Sequence, residues 1–544
     1  MDKKKWWQKA VFYQIYPRSF ADSTNNGIGD LQGIINRLNY LQELGIDAIW
    51  FSPFFSSPQK DFGYDISDYR AIDPEYGTMT DFEELLEKAH SLEIKIILDM
   101  VLNHTSDKHP WFLESKSNKA NPKREWYIWK KGKGKKPPNN WRAVIGGSAW
   151  EWDERTQEYY LHQFLVCQPD LNWRNSEVQE EMLGTLQFWL EKGVDGFRLD
   201  IIHTLFEDEE FRNNPRSWRF LPSHDSTAYL FQTPKYTSYL PETVDMCVRI
   251  RGLIDSYSPE RMVVGEVMGG PRIYRPLYGE DNDGLNLVFN FKFSDQSFSA
   301  KQFFEVIQET ENIFPDPYWP CYVFSNHDKT RMISRLGNNE KKAKLLTLLL
   351  LTVRGTPFIY YGEEIGMHQE KIPKEALRDP LAYHVVMGIP VGRFFGRDGC
   401  RTPMQWDSSF GNAGFSPELK TIPWLPISSN SNLINVETQR KDKNSILSFF
   451  KQLIRIRKAE KVLSEGRLHK LVISSKNCLT YERRVNQEGI LVILNFNNKQ
   501  IQIQNPYPSS RVIFSTDQLN ISEKTTNCHT IQTYEGLIVK FSLT

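Results

Sequence analysis

The sequence predicts an α/β protein: a (β/α)8 TIM barrel, with a subdomain inserted after the third strand and an antiparallel β-domain at the C-terminal end. Three observations predict it. Short apolar runs rich in β-branched and aromatic residues alternate with amphipathic stretches, the rhythm of repeated βα units. Several of these runs end in a carboxylate, where a barrel of this kind carries its reactive groups. From about Gly466 the texture changes to short strands separated by Asn, Gly and Ser turns.

The elements follow in order. Residues 11–15, 46–51 and 94–101 are apolar without alternation, as expected for parallel strands buried on both faces. Between the second and third, residues 81–90 set Phe82, Leu85, Leu86 and Ala89 at helical spacing. After Asn103-His104 the rhythm stops, and residues 107–173, rich in Trp, Lys, Gly and Pro, form the insertion. Its basic run at 130–138 is a solvated loop, since no further basic stripe supports a nucleic-acid patch. Residues 178–191 resume as a helix. Strands four to eight are expected at 193–200, 262–266, 287–291, 322–325 and 356–361, with the Leu-rich helix before the last supplying the outer layer. Tail strands are expected at 478–484, 490–496, 501–503 and 533–543. The division is therefore 1–106 and 174–465 for the barrel, 107–173 for the insertion, and 466–544 for a sandwich-like β-domain.

Composition narrows the function classes. Lys and Arg number 67 against 67 Asp and Glu, so no net field draws the chain to nucleic acid or an anionic membrane. No apolar run approaches the roughly 18 residues of a membrane span, and the basic N-terminus lacks the apolar stretch of a secretory signal. The 6 cysteines are scattered without a C-x-x-C pair, which predicts reduced thiols and a cytoplasmic protein. The 15 Trp suit sugar-stacking surfaces, although most such rings belong to a core.

The chemistry lies in three strand ends: Gly196-Phe-Arg-Leu-Asp200, Val263-Val-Gly-Glu266 and Phe324-Ser-Asn-His-Asp328. One such acid alone reads as a helix cap. Three in register, flanked by Arg, Gly and His, point to catalysis, and two carboxylates facing one bond are the machinery of glycosidic cleavage.

With Gln14-Ile-Tyr-Pro-Arg-Ser-Phe20, Gly63-Tyr-Asp65, Asp99-Met-Val-Leu-Asn-His104, Gln168-Pro-Asp-Leu-Asn172 and Arg397-Asp-Gly-Cys-Arg-Thr-Pro-Met-Gln-Trp406, the chain resembles the α-amylase family of retaining glycoside hydrolases. Within it, the resemblance is to the α-glucosidase and oligo-1,6-glucosidase branch. This implies Asp200 as nucleophile, Glu266 as acid/base and Asp328 as the acid that holds sugar hydroxyls. Arg198 would pair with the nucleophile, and His104 and His327 would bond hydroxyls around the cleaved link. Asp65 and Arg397 would grip the terminal glucose at a closed pocket floor, with Arg401 the alternative to Arg397; a closed floor implies exo action. No cofactor is required for the chemistry. The loop from Asp22 to Asp30 resembles the branch's calcium loop, with Thr24 and Asn26 where the branch has Asn and Asp. It implies a structural calcium at Asp22, Asn26, the Ile28 carbonyl and Asp30, or else a plain Asx/Gly turn. Ile201 sides with the aliphatic residue that accompanies α-1,6 preference, and the linkage stays open between α-1,4 and α-1,6. The implied partners are small α-glucosides such as maltose or isomaltose. Two alternatives share the scaffold: an α-glucosyltransferase or sucrose isomerase, and a non-catalytic transporter-associated relative, which lacks parts of the acid set.

Overall fold

The structure is a computed structural model that describes residues 4–134, 136–383, 396–475, 477–517 and 528–543, with the backbone of a short strand pair at 385–386 and 389–390. Eight parallel strands form the barrel: β1 Phe12–Ile15, β2 Ala48–Phe51, β3 Lys95–Met100, β4 Gly196–Leu199, β5 Met262–Gly265, β6 Leu287–Val288, β7 Cys321–Val323 and β8 Thr356–Tyr360. Sequential strands are neighbours, β8 pairs with β1, and a parallel bridge between Phe289 and Cys321 closes the ring between β6 and β7.

The two-residue period of a strand divides its side chains between two cores. Phe12, Trp50, Ile97, Val264, Phe289, Val323 and Phe358 fill the barrel interior. Their neighbours Val11, Tyr13, Ile49, Ile96, Leu98 and Val263 face the outer helices instead. Both faces are thus buried, which is why these runs read as continuously apolar.

The helices begin at identifiable caps. Helix Met79–Ser91 starts at Thr78, whose hydroxyl accepts from the Asp81 amide while Asp81 reaches back to the Thr78 amide. Its buried side chains are Phe82, Leu85, Leu86 and Ala89, the set expected from spacing. Helix Ser176–Glu191 is capped by Asn175, and the Leu-rich helix Glu340–Thr352 by Asn339. Among the described residues, no helix is long and apolar enough to cross a membrane.

The insertion folds as an antiparallel sheet in which Glu158–Leu161 lies between Trp129–Lys130 and Trp150–Asp153, over a core of Ile128, Trp141, Trp150, Tyr159 and Leu161. Lys130 of the basic run lies 4.0 Å from the Phe211 ring centroid, and Lys135 is outside the described residues. Strand six is shorter than expected: it ends at Val288, and Asn290 caps a helical turn at Phe291–Ser294. The polar cap competes with the ladder, which periodicity does not register.

The C-terminal region holds a five-stranded antiparallel sheet ordered Arg467–Ser475, Cys478–Val485, Glu488–Asn495, Gly536–Ser542, Arg511–Ser515. One face, with Leu479, Tyr481, Val492 and Ile538, packs on the barrel's outer helices; the other, with Leu491, Ile493 and Val539, faces the pair Ile501–Gln504 and Cys528–Ile531. Two buried arginines seal the joint. Arg457 donates to the Leu351 and Gly355 carbonyls at 2.8 Å each, and Arg483 to those of Thr352 (2.8 Å) and Gly466. The last carbonyls of helix Glu340–Thr352 would otherwise be buried without donors.

Candidate active site

Arg198 is the centre around which the site is built. It pairs in register with Asp99 of β3 on one side and Val264 of β5 on the other, and its fully buried side chain runs up the barrel axis. One Nη donates at 2.7 Å to both Asp99 Oδ1 and Asp200 Oδ1, while the other Nη donates to Glu266 Oε2. Backbone bonds place the two acids: the Asp200 amide donates to the Met100 carbonyl at 3.0 Å and the Glu266 amide to that of Leu199 at 2.9 Å. The acids from β4 and β5 are thereby gathered on one guanidinium.

Three carboxylates now face one fully buried guanidinium. Burial pushes Asp99 up to about 6 against the pull of Arg198. Burial also raises Asp200 well above the usual carboxylate range; Arg198 opposes this, and the charges of Glu266 and Asp99 add to it. Asp200 consequently holds its proton to higher pH than an isolated carboxyl would.

Asp328, at the end of β7, is governed oppositely. Burial disfavours its charge, but the Arg397 and Arg401 guanidiniums outweigh burial and hold it well below the usual range, with the His327 ring 3.2 Å from Oδ2. Arg401 Nη2 lies 2.9 Å and Arg397 Nη1 3.2 Å from Asp328 Oδ1. His327 is locked between Gln14 Nε2 at 2.8 Å from its Nδ1 and the Tyr64 hydroxyl at 2.6 Å from its Nε2, and it stacks on Tyr64. Burial keeps this imidazole neutral, and also His104, whose pKa is pushed down to about 3. His104 Nε2 lies 3.2 Å from the Tyr64 carbonyl oxygen.

The expected floor pair requires a correction. Asp65 is buried away from Arg397: its carboxylate accepts from the Ser57 hydroxyl (3.0 Å) and the amides of Asp61 (2.9 Å) and Lys60 (3.0 Å), stapling its own loop. The acid that meets Arg397 is Asp61, 2.7 Å from Nη2; Gln168 Nε2 donates to its other oxygen at 3.1 Å. Asp379 receives the guanidinium in bidentate fashion at 2.9 and 3.0 Å. Arg397 and Arg401 are therefore joint members of one network, not alternatives. Asp61, Tyr64, Gln168 and Asp379 escaped the sequence analysis. Asp61 lies four residues before Asp65 in the same short loop, and only the turn between them decides which carboxylate faces inward.

Asp61, Tyr64, His104, Gln168, Asp200, Glu266, Asp328 and Arg397 line a cavity of about 370 Å³ at the C-terminal mouth of the barrel, with Arg198, His327, Arg401 and Asp379 behind them. Ile201 lines it too, with φ +38° and ψ 39°, a left-handed conformation rarely taken by a β-branched residue. Its carbonyl accepts from the Thr204 hydroxyl at 2.8 Å, and the next amide, of Ile202, donates to the Glu266 carbonyl at 3.1 Å. The backbone is thus bent sharply just after Asp200.

The loop from Asp22 to Asp30 closes on itself. Asp22 accepts from the amides of Thr24, Asn25 and Gly27 and from the Ser416 hydroxyl. Asp30 accepts from the amides of Ser23 and Gly33, and the Asn26 side-chain oxygen from the Ile28 amide. Each of these side-chain oxygens has an N–H or O–H donor, the hydrogen bonding of an Asx/Gly turn.

The chain is similar to known proteins over most of its length. The sequence profile described as the α-amylase catalytic domain matches residues 14–466. The chain is 40% identical to a salivary α-glucosidase of Aedes aegypti over 92% of its own length and 87% of that protein's. It is 39% identical to an oligo-1,6-glucosidase of Parageobacillus thermoglucosidasius over 96% and 95% of the two chains. The crystal structure of an α-glucosyl transfer enzyme superposes with a TM-score of 0.90 at 36% identity, covering 99% of this chain and 100% of the other.

Proposed function

The chain belongs to the α-amylase family, and from that premise we propose that it is an exo-acting, retaining α-glucosidase that removes terminal non-reducing glucose from short α-glucosides. The observation that carries this is one arginine, Arg198, holding both Asp200 and Glu266 at one end of a cavity whose other side is lined by Asp61, Arg397 and Asp328. Two carboxyls held on one guanidinium favour the double displacement of retaining enzymes, where the separation is about 5–5.5 Å, over inversion, where about 6.5–9.5 Å admits a water.

In the proposed reaction, Asp200 attacks the anomeric carbon as Glu266 gives its proton to the departing oxygen. The covalent β-glucosyl ester is then hydrolysed by water that Glu266 deprotonates. Arg198 stabilises the ionised partner of the pair at each stage. Asp328, ionised throughout by its two arginines, accepts hydroxyl hydrogens from the bound glucose beside neutral His104, while His327 holds the Tyr64 ring in the cavity wall. Both α-1,4 and α-1,6 glucosides such as maltose and isomaltose remain within this substrate class.

Transfer of the glucosyl group to a sugar hydroxyl uses the same residues, and the close superposition on an α-glucosyl transfer enzyme favours keeping it as a second outcome of the same intermediate. The 6 free cysteines support a reducing, cytosolic setting. The test is hydrolysis of maltose, isomaltose, sucrose and trehalose followed in real time by proton NMR. Initial release of α-glucose supports the mechanism; initial β-glucose overturns retention, and early long oligosaccharides from starch overturn exo action.

A further inference from the structure

The leaving-group side of the cavity has a construction that the chemistry above does not use. Lys329 follows Asp328 directly, and its ammonium lines the cavity, with Nζ 2.6 Å from Asp295 Oδ1. Asp295 in turn holds His224 Nε2 at 2.8 Å through its other oxygen. The same ammonium lies 5.0 Å from the centroid of Phe291, which also lines the cavity. An aromatic ring beside a fixed donor is what a sugar ring asks for: an apolar face to rest on and a hydrogen-bond partner at its rim.

The geometry points to Lys329 as the residue that recognises the departing group, oriented by Asp295 and His224, and to that group being an uncharged sugar. An ammonium has three N–H donors. Asp295 takes one, leaving two for the cavity, where hydroxyls of the leaving sugar can accept them. His224 adds position: its carbonyl accepts from the Gly270 amide at 2.7 Å, so the loop after β4 is tied to that after β5 on the same side of the cavity. Charge decides the class of leaving group. Among the described residues, the lining Lys329 ammonium and Arg397 guanidinium each already face a carboxylate, and the lining His224 ring is held by Asp295. A phosphorylated leaving sugar would bring a dianion where the cationic charge is already neutralised.

This inference rests on the α-glucosidase assignment, and the test separates the two. The measurement is kcat/KM of the wild type, Lys329→Met, Lys329→Gln and Lys329→Arg on isomaltose, maltose and p-nitrophenyl α-glucoside. The nitrophenyl group offers no sugar hydroxyls to Lys329. Both neutral variants are expected to lose about 10–100-fold on the disaccharides, the size of a hydrogen bond to a charged group, chiefly through KM. Their loss on the aryl glucoside should be at least tenfold smaller, with Lys329→Arg recovering part of the disaccharide activity. Equal losses on both substrate types would make Lys329 structural, and no loss on either would remove it from recognition. Faster wild-type turnover of trehalose 6-phosphate than of the neutral disaccharides overturns the uncharged leaving group. A wild type inert towards every α-glucoside overturns the α-glucosidase assignment itself, and with it this one.

Discussion

Asp61 and Asp65 are the same residue type in one loop, yet their surroundings give them opposite tasks. Asp65 is fully buried with its oxygens turned to backbone amides and Ser57, and burial raises it to about 6. Asp61 lines the cavity and meets Arg397. Asp61→Ala is therefore expected to raise KM and lower kcat for maltose while leaving the melting temperature nearly unchanged. Asp65→Ala should lower the melting temperature first, because the Lys60 and Asp61 amides lose their acceptor, at about 1–3 kcal/mol for each buried group left unpaired. Steady-state kinetics beside thermal melts on the two variants distinguish these roles. Ile201 is the other residue whose setting matters. Backbone strain of the kind it shows costs of order 1–3 kcal/mol and is retained where surrounding contacts impose it. Its side chain faces the cavity, so Ile201→Thr should raise the ratio of α-1,4 to α-1,6 turnover by a few-fold to tens-fold, the scale of a methyl-sized change in an apolar pocket. An unchanged maltose-to-isomaltose ratio would assign Ile201 to packing alone.

The ends of β3, β4 and β5 act as one electrostatic element. Asp99 and Arg198 are direct cross-strand neighbours, and Asp99 competes with Asp200 and Glu266 for the same guanidinium. Its negative charge therefore does two things to Asp200: it repels that carboxylate and draws away part of its counter-charge. Asp99→Asn removes both effects, so Asp200 ionises more readily. The acid limb of the kcat/KM profile, which reports ionisation of Asp200 in the free enzyme, is expected to move to lower pH by about 1 unit. A limb that stays in place or moves upward would show that Asp99 does not bear on Asp200.

At the scale of the molecule, the C-terminal sheet completes the barrel's outer layer. Leu345 and Leu348 of the helix before β8 share a core with Leu479, Val492 and Ile538 of that sheet. The fit is close: a methyl built on Gly536 would come within 2.4 Å of Leu348 Cδ2. Deleting residues 466–544 would expose this apolar face and leave the carbonyls of Leu351 and Thr352 with less cover. The truncated chain is expected to aggregate, seen as loss of soluble protein and void-volume elution in size-exclusion chromatography. A soluble, active monomer of residues 1–465 would show the barrel to be self-sufficient.

Sequence alone determined the barrel, the insertion, the β-rich tail and the three strand-end acids. Local chemistry specifies each of these: continuous apolar runs for strands buried on both faces, helical spacing at 81–90, and carboxylates where the runs stop. Tertiary structure decided everything that depends on which way a loop side chain turns. Asp61 and not Asp65 meets Arg397, because the turn between them directs one carboxylate inward and ties the other to amides. Arg397 and Arg401 both reach Asp328 because chain far apart in sequence converges there, and Asp379 joins them from a segment with no motif of its own. The leaving-group side, where Lys329, Asp295 and His224 come from three different loops, was likewise invisible. Periodicity records how an element buries itself against its neighbours, whereas a contact between loops arises only when the barrel closes and brings its strand ends to one rim.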